Sequence, residues 1–371
     1  MLNQNNYNGI LEVNLDTISN NYINLRKTLK KKVCCAAVVK ANAYGLGINK
    51  ISKILFHSGC RVFFVSNMLE GIELRSILRK EKENNKAAIY ILHGPSEKNL
   101  NEFKNYNLRP VLNSLYQLKK WEEYTLSENY KSKIAIHIDS GMNRLGLNRN
   151  EVDEIIKNKF LLKNFNISLI MSHLSNAEEA DSPSNDSQKE YFDKISKFFP
   201  DSKKSLANSA ATLSNSKYHY DMVRTGIILY IGSKFSNFSA KLKNSVSLKT
   251  HIISISEINK SETVGYGSTF KAKKKTKIAT IPIGYADGFP RSLSNSGFAY
   301  INNKKVDIIG RISMDLTVVD ITNIETEIGS EVIIFGTNSN LDDVAASGNT
   351  ISYELLTNLG NRYKRKYNLK K

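Results

Sequence analysis

This 371-residue chain has few cysteines, too few acids to balance its bases, and no long apolar run. Cys34, Cys35 and Cys60 are odd in number and lack metal-ligand spacing, which points away from a metal cage and toward a reducing cytoplasm. No stretch approaches the about 18 uninterrupted apolar residues of a membrane span, and residues 1–9 hold no apolar core of signal-peptide length. Secretion and membrane insertion are not expected. Against 53 Lys and Arg stand only 35 Asp and Glu, a net charge of +18. The bases are spread along the chain without interleaved aromatics, and even the densest runs, 271–277 and 362–371, read as solvated surface. No nucleic-acid partner is expected.

What is present is a regular alternation. A single core stops growing at about 250 to 300 residues, so two domains are expected. Apolar runs at residues 33–39, 61–66, 87–92, 108–112, 133–138, 167–172, 204–207 and 222–230 are separated by stretches of helical spacing such as 70–82, 115–124 and 187–199. Eight such strands are the number a (β/α)8 TIM barrel requires. Beyond about residue 240 the runs become short, β-rich and separated by Gly, Asn and Asp: 248–258, 276–283, 306–309, 317–321 and 331–335. The expected division is therefore a barrel over 1–240 and a mainly β carboxyl domain over 241–371, an α/β fold.

Residues 33–39 are apolar throughout, as in a parallel strand covered on both faces. Lys40 should stand at its C-terminal end, where a barrel places its chemistry. A lysine deprived of water there favours the free amine, which can attack a carbonyl to form a Schiff base. Two later segments fall at strand ends. Ala207-Asn208-Ser209-Ala210 offers a hydroxyl and backbone amides to an anion, and Gly226-Ile227 lets one approach the main chain closely.

The phrase Val38-Val39-Lys40-Ala41-Asn42-Ala43-Tyr44-Gly45-Leu46-Gly47 resembles the pyridoxal-phosphate signature of the alanine racemases, with Leu46 where that family usually has a histidine. The resemblance runs from about residue 9 to 367. It implies that Lys40 carries the cofactor as an aldimine and that Tyr44 contacts its phosphate, together with Asn208, Ser209, Gly226 and Ile227. It places Arg224, in Met222-Val223-Arg224-Thr225, against the pyridine nitrogen, although Thr225 stands where a proline is usual. Arginine only donates, so that nitrogen would stay unprotonated and the ring would be a weak electron sink, which suits a racemase better than an aminotransferase.

Racemisation needs a proton carrier on each face of a planar carbon. By the same resemblance Lys40 is one and Tyr266, in Val264-Gly265-Tyr266-Gly267-Ser268, is the other, donated by the partner of a homodimer. With a reference pKa near 10, tyrosine needs help to act as a base. His173 would link it to Arg224 and bring positive charge near the phenolate. Arg144, in Asp139-Ser140-Gly141-Met142-Asn143-Arg144, would contact both the cofactor and the substrate carboxylate. The Met314 amide would assist at the carboxylate, with Tyr285 at the entrance and Tyr353 at the cofactor wall. The strand near residues 9–15 would join the carboxyl domain.

One departure stands out. Many family members carry, two residues before the aspartate of the Arg144 loop, a lysine modified to an anionic carbamate that steadies the arginine. Here that position is His137, which cannot form a stable anion. The expectation is an unmodified site that relies on a bound anion such as chloride, or on a nearby carboxylate.

The implied activity is pyridoxal-phosphate-dependent interconversion of L-alanine and D-alanine, supplying D-alanine for peptidoglycan, with no metal. Two alternatives are a racemase of broader scope, acting for instance on serine, and a non-enzymatic pyridoxal-phosphate barrel protein, which generally lacks the carboxyl domain.

Overall fold

The structure, a computed structural model, describes residues 7–81, 87–232, 241–336 and 339–369. The chain divides into two compact units. One comprises Ile18–Ala43 and Gly47–Leu242; the other comprises the described residues up to Thr17, Tyr44–Leu46, and those from Lys243 onward. The expected boundary at residue 240 lies outside the described residues.

After β1 (Ile10–Asn14) come eight strands: β2 (Cys34–Val38), β3 (Val62–Val65), β4 (Ala88–Ile91), β5 (Arg109–Leu112), β6 (Lys133–His137), β7 (Asn166–Met171), β8 (Lys203–Ser205) and β9 (Met222–Thr225). They pair in parallel in the order β8-β7-β6-β5-β4-β3-β2-β9. Backbone bonds from Asp221 N to Lys204 O and from Arg224 N to Ala207 O, both 3.0 Å, close the ring. All eight expected strands are present, most of them on apolar runs because a parallel strand is covered on both faces, whereas β8 is Lys203-Lys204-Ser205 and buried only at its end. Burial bears this out, since β4 and β9 are buried along their whole length.

The last strand is shorter than residues 222–230. The chain turns at Gly226 and becomes a helical turn, Ile228–Ile231, because an unbroken apolar run does not by itself distinguish a buried strand from a buried helix. The expected helices are found at Met68–Leu78, Leu115–Ser127 and Pro183–Ser196, and the first two are capped by the side chains of Asn67 and Ser114. Lys82, included in the first expected helix, lies outside the described residues.

The second unit adds β10 (Val246–His251), β11 (Ser254–Ile258), β12 (Thr263–Val264), β13 (Phe270–Lys271), β14 (Thr276–Ile281), β15 (Phe298–Ile301), β16 (Lys304–Asp307), β17 (Thr317–Asp320), β18 (Glu331–Phe335) and β19 (Lys364–Asn368). One sheet runs β16-β15-β18-β10-β1-β19, in which β1 pairs antiparallel to β10 and parallel to β19. A second runs β11-β14-β17. The run expected as one strand over 248–258 is therefore two strands in different sheets. Ile252 and Ile253 keep the run apolar across the break, which hides it from the sequence pattern.

Candidate active site

The C-terminal ends of β2, β6, β7, β8 and β9 carry the barrel's expected site residues. Lys40 follows a strand whose last residues, from Cys35 to Val39, are buried. Beyond it the backbone makes a left-handed turn: Ala41, Asn42 and Ala43 have φ of 51°, 53° and 52°, and Tyr44 has φ of 57°. None of the four is glycine, and this conformation costs L-residues about 1–2 kcal/mol each. Neighbouring groups hold the turn. Ala41 N donates to Glu70 Oε1 at 2.7 Å, Ile48 N to Asn42 Oδ1 at 2.7 Å, and Gly47 N to Asn42 O at 2.9 Å. Lys40 is half-buried and its ammonium is held below the ordinary lysine range, first by desolvation and then by the positive charge of Arg144, against a smaller opposing pull from Glu70.

Arg224 is fully enclosed in β9. Its Nη1 donates to Ser205 Oγ at 2.6 Å, and its Nη2 donates to Ser172 O at 2.6 Å and to His173 Nδ1 at 3.2 Å. Burial brings the guanidinium down to about 10, so it stays cationic at neutral pH. Because a guanidinium can only donate, His173 Nδ1 is the acceptor and the ring's proton sits on Nε2. Burial and the charges of Arg224 and Arg144 keep His173 well below its ordinary pKa. His173 is thus a neutral donor backed by a cation, rather than a cation itself. Ser172 and Ser205 carry no motif and were not legible in the sequence.

At the end of β8, Asn208 Oδ1 accepts from Ala211 N at 2.9 Å and caps the short helix Ser209–Ser214. Ser209 Oγ accepts from Gly226 N at 2.9 Å, which ties this loop to the turn after β9 and leaves the Ser209 hydroxyl proton to point elsewhere. Ile227, buried, opens the helical turn that follows.

Arg144 stands on a loop that leaves β6 and returns beside it. Asp139 Oδ1 gathers the amides of Gly141, Met142 and Asn143 at 2.9–3.1 Å, and Leu147 N donates to His137 O at 2.8 Å. Gly146, at φ 119°, lies where a Cβ would meet Asp139 N at 2.8 Å, so only glycine closes the loop without a shift. No carboxylate lies within ion-pair distance of Arg144 among the described residues, so the nearby-carboxylate alternative finds no partner there.

In the β-rich unit the Tyr44 and Tyr353 rings lie 6.0 Å apart, tilted by 48°. Tyr266, Tyr285 and Met314 are 73%, 45% and 54% exposed, unusual for large apolar side chains on a folded unit. Backbone bonds Tyr285 N to Ser313 O (3.1 Å) and Ala286 N to Met314 O (2.9 Å) join two of these loops. Arg362 spans their bases, 3.2 Å from Asp287 and 2.8 Å from Asp315. The Tyr266 turn packs on the same strip, since a Cβ on Gly267 would meet Arg311 Nη1 at 2.6 Å.

A half-buried lysine whose charged form is disfavoured, at the end of a strand in a closed parallel barrel whose other strand ends carry buried donors, defines the class as a barrel enzyme. Residues 13–234 match the alanine racemase N-terminal domain, and residues 245–367 the alanine racemase C-terminal domain. An alanine racemase from Rickettsia bellii is 43% identical over 341 residues, covering 91% of this chain and 82% of that protein. One from Rickettsia africae is 41% identical over 360 residues, covering 96% and 98%. The crystal structure of alanine racemase from Bartonella henselae with covalently bound pyridoxal phosphate superposes with a TM-score of 0.90 at 36% identity, over 97% of this chain and 99% of that one. The chain belongs to the alanine racemase family.

Proposed function

We propose that the protein is a pyridoxal-phosphate-dependent alanine racemase that interconverts L-alanine and D-alanine as a homodimer in the cytoplasm, supplying D-alanine for peptidoglycan. The observation that carries this reading is the donor set around Lys40. Arg224 keeps its Nε–H and one Nη1–H without a partner among the described residues, and Ser209 keeps its hydroxyl proton. These groups offer only donors, which fits an unprotonated ring nitrogen and a phosphate. The cytoplasmic assignment is supported by three free thiols and by the finding that no described helix is long and apolar enough to cross a membrane.

Pyridoxal phosphate, when bound, supplies a carbonyl carbon that takes an amine and a ring that draws electron density away from the substrate α-carbon. Lys40 would hold it, with Ser209, Asn208, Gly226, Ile227 and Tyr44 at the phosphate, Arg224 at the ring nitrogen and Tyr353 at the wall. Lys40 is suited to this because burial and Arg144 favour its uncharged amine, which can bond to a carbonyl carbon and then accept a proton. Arg144 and the Met314 amide orient the substrate carboxylate. Lys40 Nζ exchanges the α-proton of D-alanine and the Tyr266 hydroxyl that of L-alanine, from opposite faces. His173 Nε2–H steadies the phenolate of Tyr266, with the charge of Arg224 one ring behind it.

The test is an absorption spectrum of the purified protein followed by α-proton exchange in heavy water. Lys40→Ala should lose the lysine-bound absorption band and all exchange. Tyr266→Phe should keep the band, lose about 10²–10⁴-fold in racemisation, and still exchange D-alanine faster than L-alanine. Equal loss on both enantiomers would overturn the division of labour. Turnover on serine beside alanine decides the breadth of substrate.

A further inference from the structure

A hydrogen-bond chain ends at His137, just before the loop that carries Arg144. Gln117 Nε2 donates to the carbonyls of His93 and Pro95 at 2.9 and 3.2 Å, so its Oε1 faces back and accepts from Asn113 N at 2.8 Å. Asn113, 4% exposed, has its Nδ2 among three acceptors: Leu92 O at 3.0 Å, Val111 O at 2.9 Å and Gln117 Oε1 at 3.3 Å. Carbonyl oxygens only accept, so the amide cannot be turned over, and Asn113 Oδ1 is left facing His137 Nδ1 at 2.9 Å. An amide oxygen accepts, so the His137 proton must sit on Nδ1. In the neutral ring Nε2 is then a bare lone pair.

His137 is 9% exposed, at the C-terminal end of β6, immediately before the loop that carries Arg144. Its Nε2 bonds to no group of the chain among the described residues and is not sealed from solvent. Protonating it would place a cation among cations. Burial acts against that most, then the charge of Arg224 and, less, that of Arg144, with Asp139 opposing, and the ring is held at a pKa of about 4. Asp139 Oδ1 is already engaged by three loop amides. The group available to a neighbouring guanidinium is therefore a neutral acceptor.

We propose that Asn113 and His137 form a fixed acceptor at the barrel mouth, in which Asn113 Oδ1 holds the proton on Nδ1 and the Nε2 lone pair receives a hydrogen bond from the Arg144 guanidinium. This rests on the alanine racemase reading, in which Arg144 orients the substrate carboxylate, and it makes His137 a positioning residue. It also replaces the expectation of a bound anion. The Nε2 lone pair would then occupy the Arg144 donor that an anion or a carbamate would otherwise take.

The test uses the holoenzyme. With ¹⁵N-histidine labelling, the His137 signals, assigned by their loss in His137→Gln, should show a protonated Nδ1 and an unprotonated Nε2 at pH 7. Racemisation should not rise when chloride or bicarbonate replaces acetate at constant ionic strength. His137→Leu removes the acceptor and should raise KM for alanine about tenfold, with a smaller effect on kcat. His137→Gln, whose Oε1 reaches the Nε2 position, should recover most of that KM. A protonated Nε2, activation of the wild type by chloride or bicarbonate, or an unchanged KM in His137→Leu would overturn the proposal. Should the wild type fail to racemise alanine, the racemase reading fails, while the ring's tautomer still judges the hydrogen-bond chain on its own.

Discussion

Nη2 of Arg224 lies 3.2 Å from Nδ1 of His173, and the direction of that bond decides which ring nitrogen carries the proton. The sequence suggested positive charge adjacent to the phenol. The geometry instead makes the His173 ring a neutral imidazole, with the guanidinium behind it. In the proposed site such a ring would donate from Nε2 to Tyr266 whether the phenol is protonated or not.

Arg224→Lys should expose how much the fork matters. Lysine keeps the charge but not the fixed geometry that reaches Ser205 Oγ, Ser172 O and His173 Nδ1 together. Loss of one charged hydrogen bond in a sealed site should cost about 2 kcal/mol of folding stability. Urea unfolding of the two apoproteins measures it, and equal midpoints and slopes would show that a point charge suffices.

The pH dependence of stability follows from His137. Its folded pKa, about 4, is below the ordinary 6.5, so between those values the unfolded chain binds the extra proton and stability falls as pH falls. Nothing is lost above about pH 6.5, and the penalty levels off below about pH 4 at roughly 3 kcal/mol. His173 is shifted the same way, so the comparison is with His137→Gln. The mutant should lose less stability than the wild type between pH 7 and pH 5. Parallel curves would mean that the His137 pKa is the same folded and unfolded.

The left-handed turn after Lys40 makes an unusual prediction about glycine. In an ordinary helix Ala→Gly costs about 1 kcal/mol. Ala41 is exposed at φ 51°, where an L-residue is strained and glycine is not. Ala41→Gly should leave stability unchanged or raise it by up to about 1 kcal/mol. A destabilisation of the usual helical size would show that the turn is not left-handed in solution.

The sequence carried most of the barrel strands because they are covered on both faces and so read as apolar runs; β8, Lys203-Lys204-Ser205, was legible only through Leu206 and Ala207 beyond it. That same lack of alternation hid the end of β9, where Ile227, Ile228 and Leu229 continue the run into a helical turn. The Lys40 strand end was legible, but the left-handed turn was not, since its Ala-Asn-Ala-Tyr carries no glycine and is held by Glu70 and Ile48. His137 was visible as a departure. Its tautomer was not, because that depends on Asn113 and Gln117, on another strand and helix, and on carbonyls that every sequence possesses.

The central claim is that Lys40 and Tyr266 act on one substrate from two different chains, and subunit complementation tests it most directly. Lys40→Ala homodimers, inactive, and Tyr266→Phe homodimers, at least about a hundredfold less active in racemisation, are dissociated and reassembled in equal amounts. Half of the dimers should then be hybrids, each with one doubly altered site and one intact site, so about a quarter of wild-type racemase activity should return. Activity no greater than that of the two parents, in a mixture shown to contain the hybrid, would contradict the two-chain site.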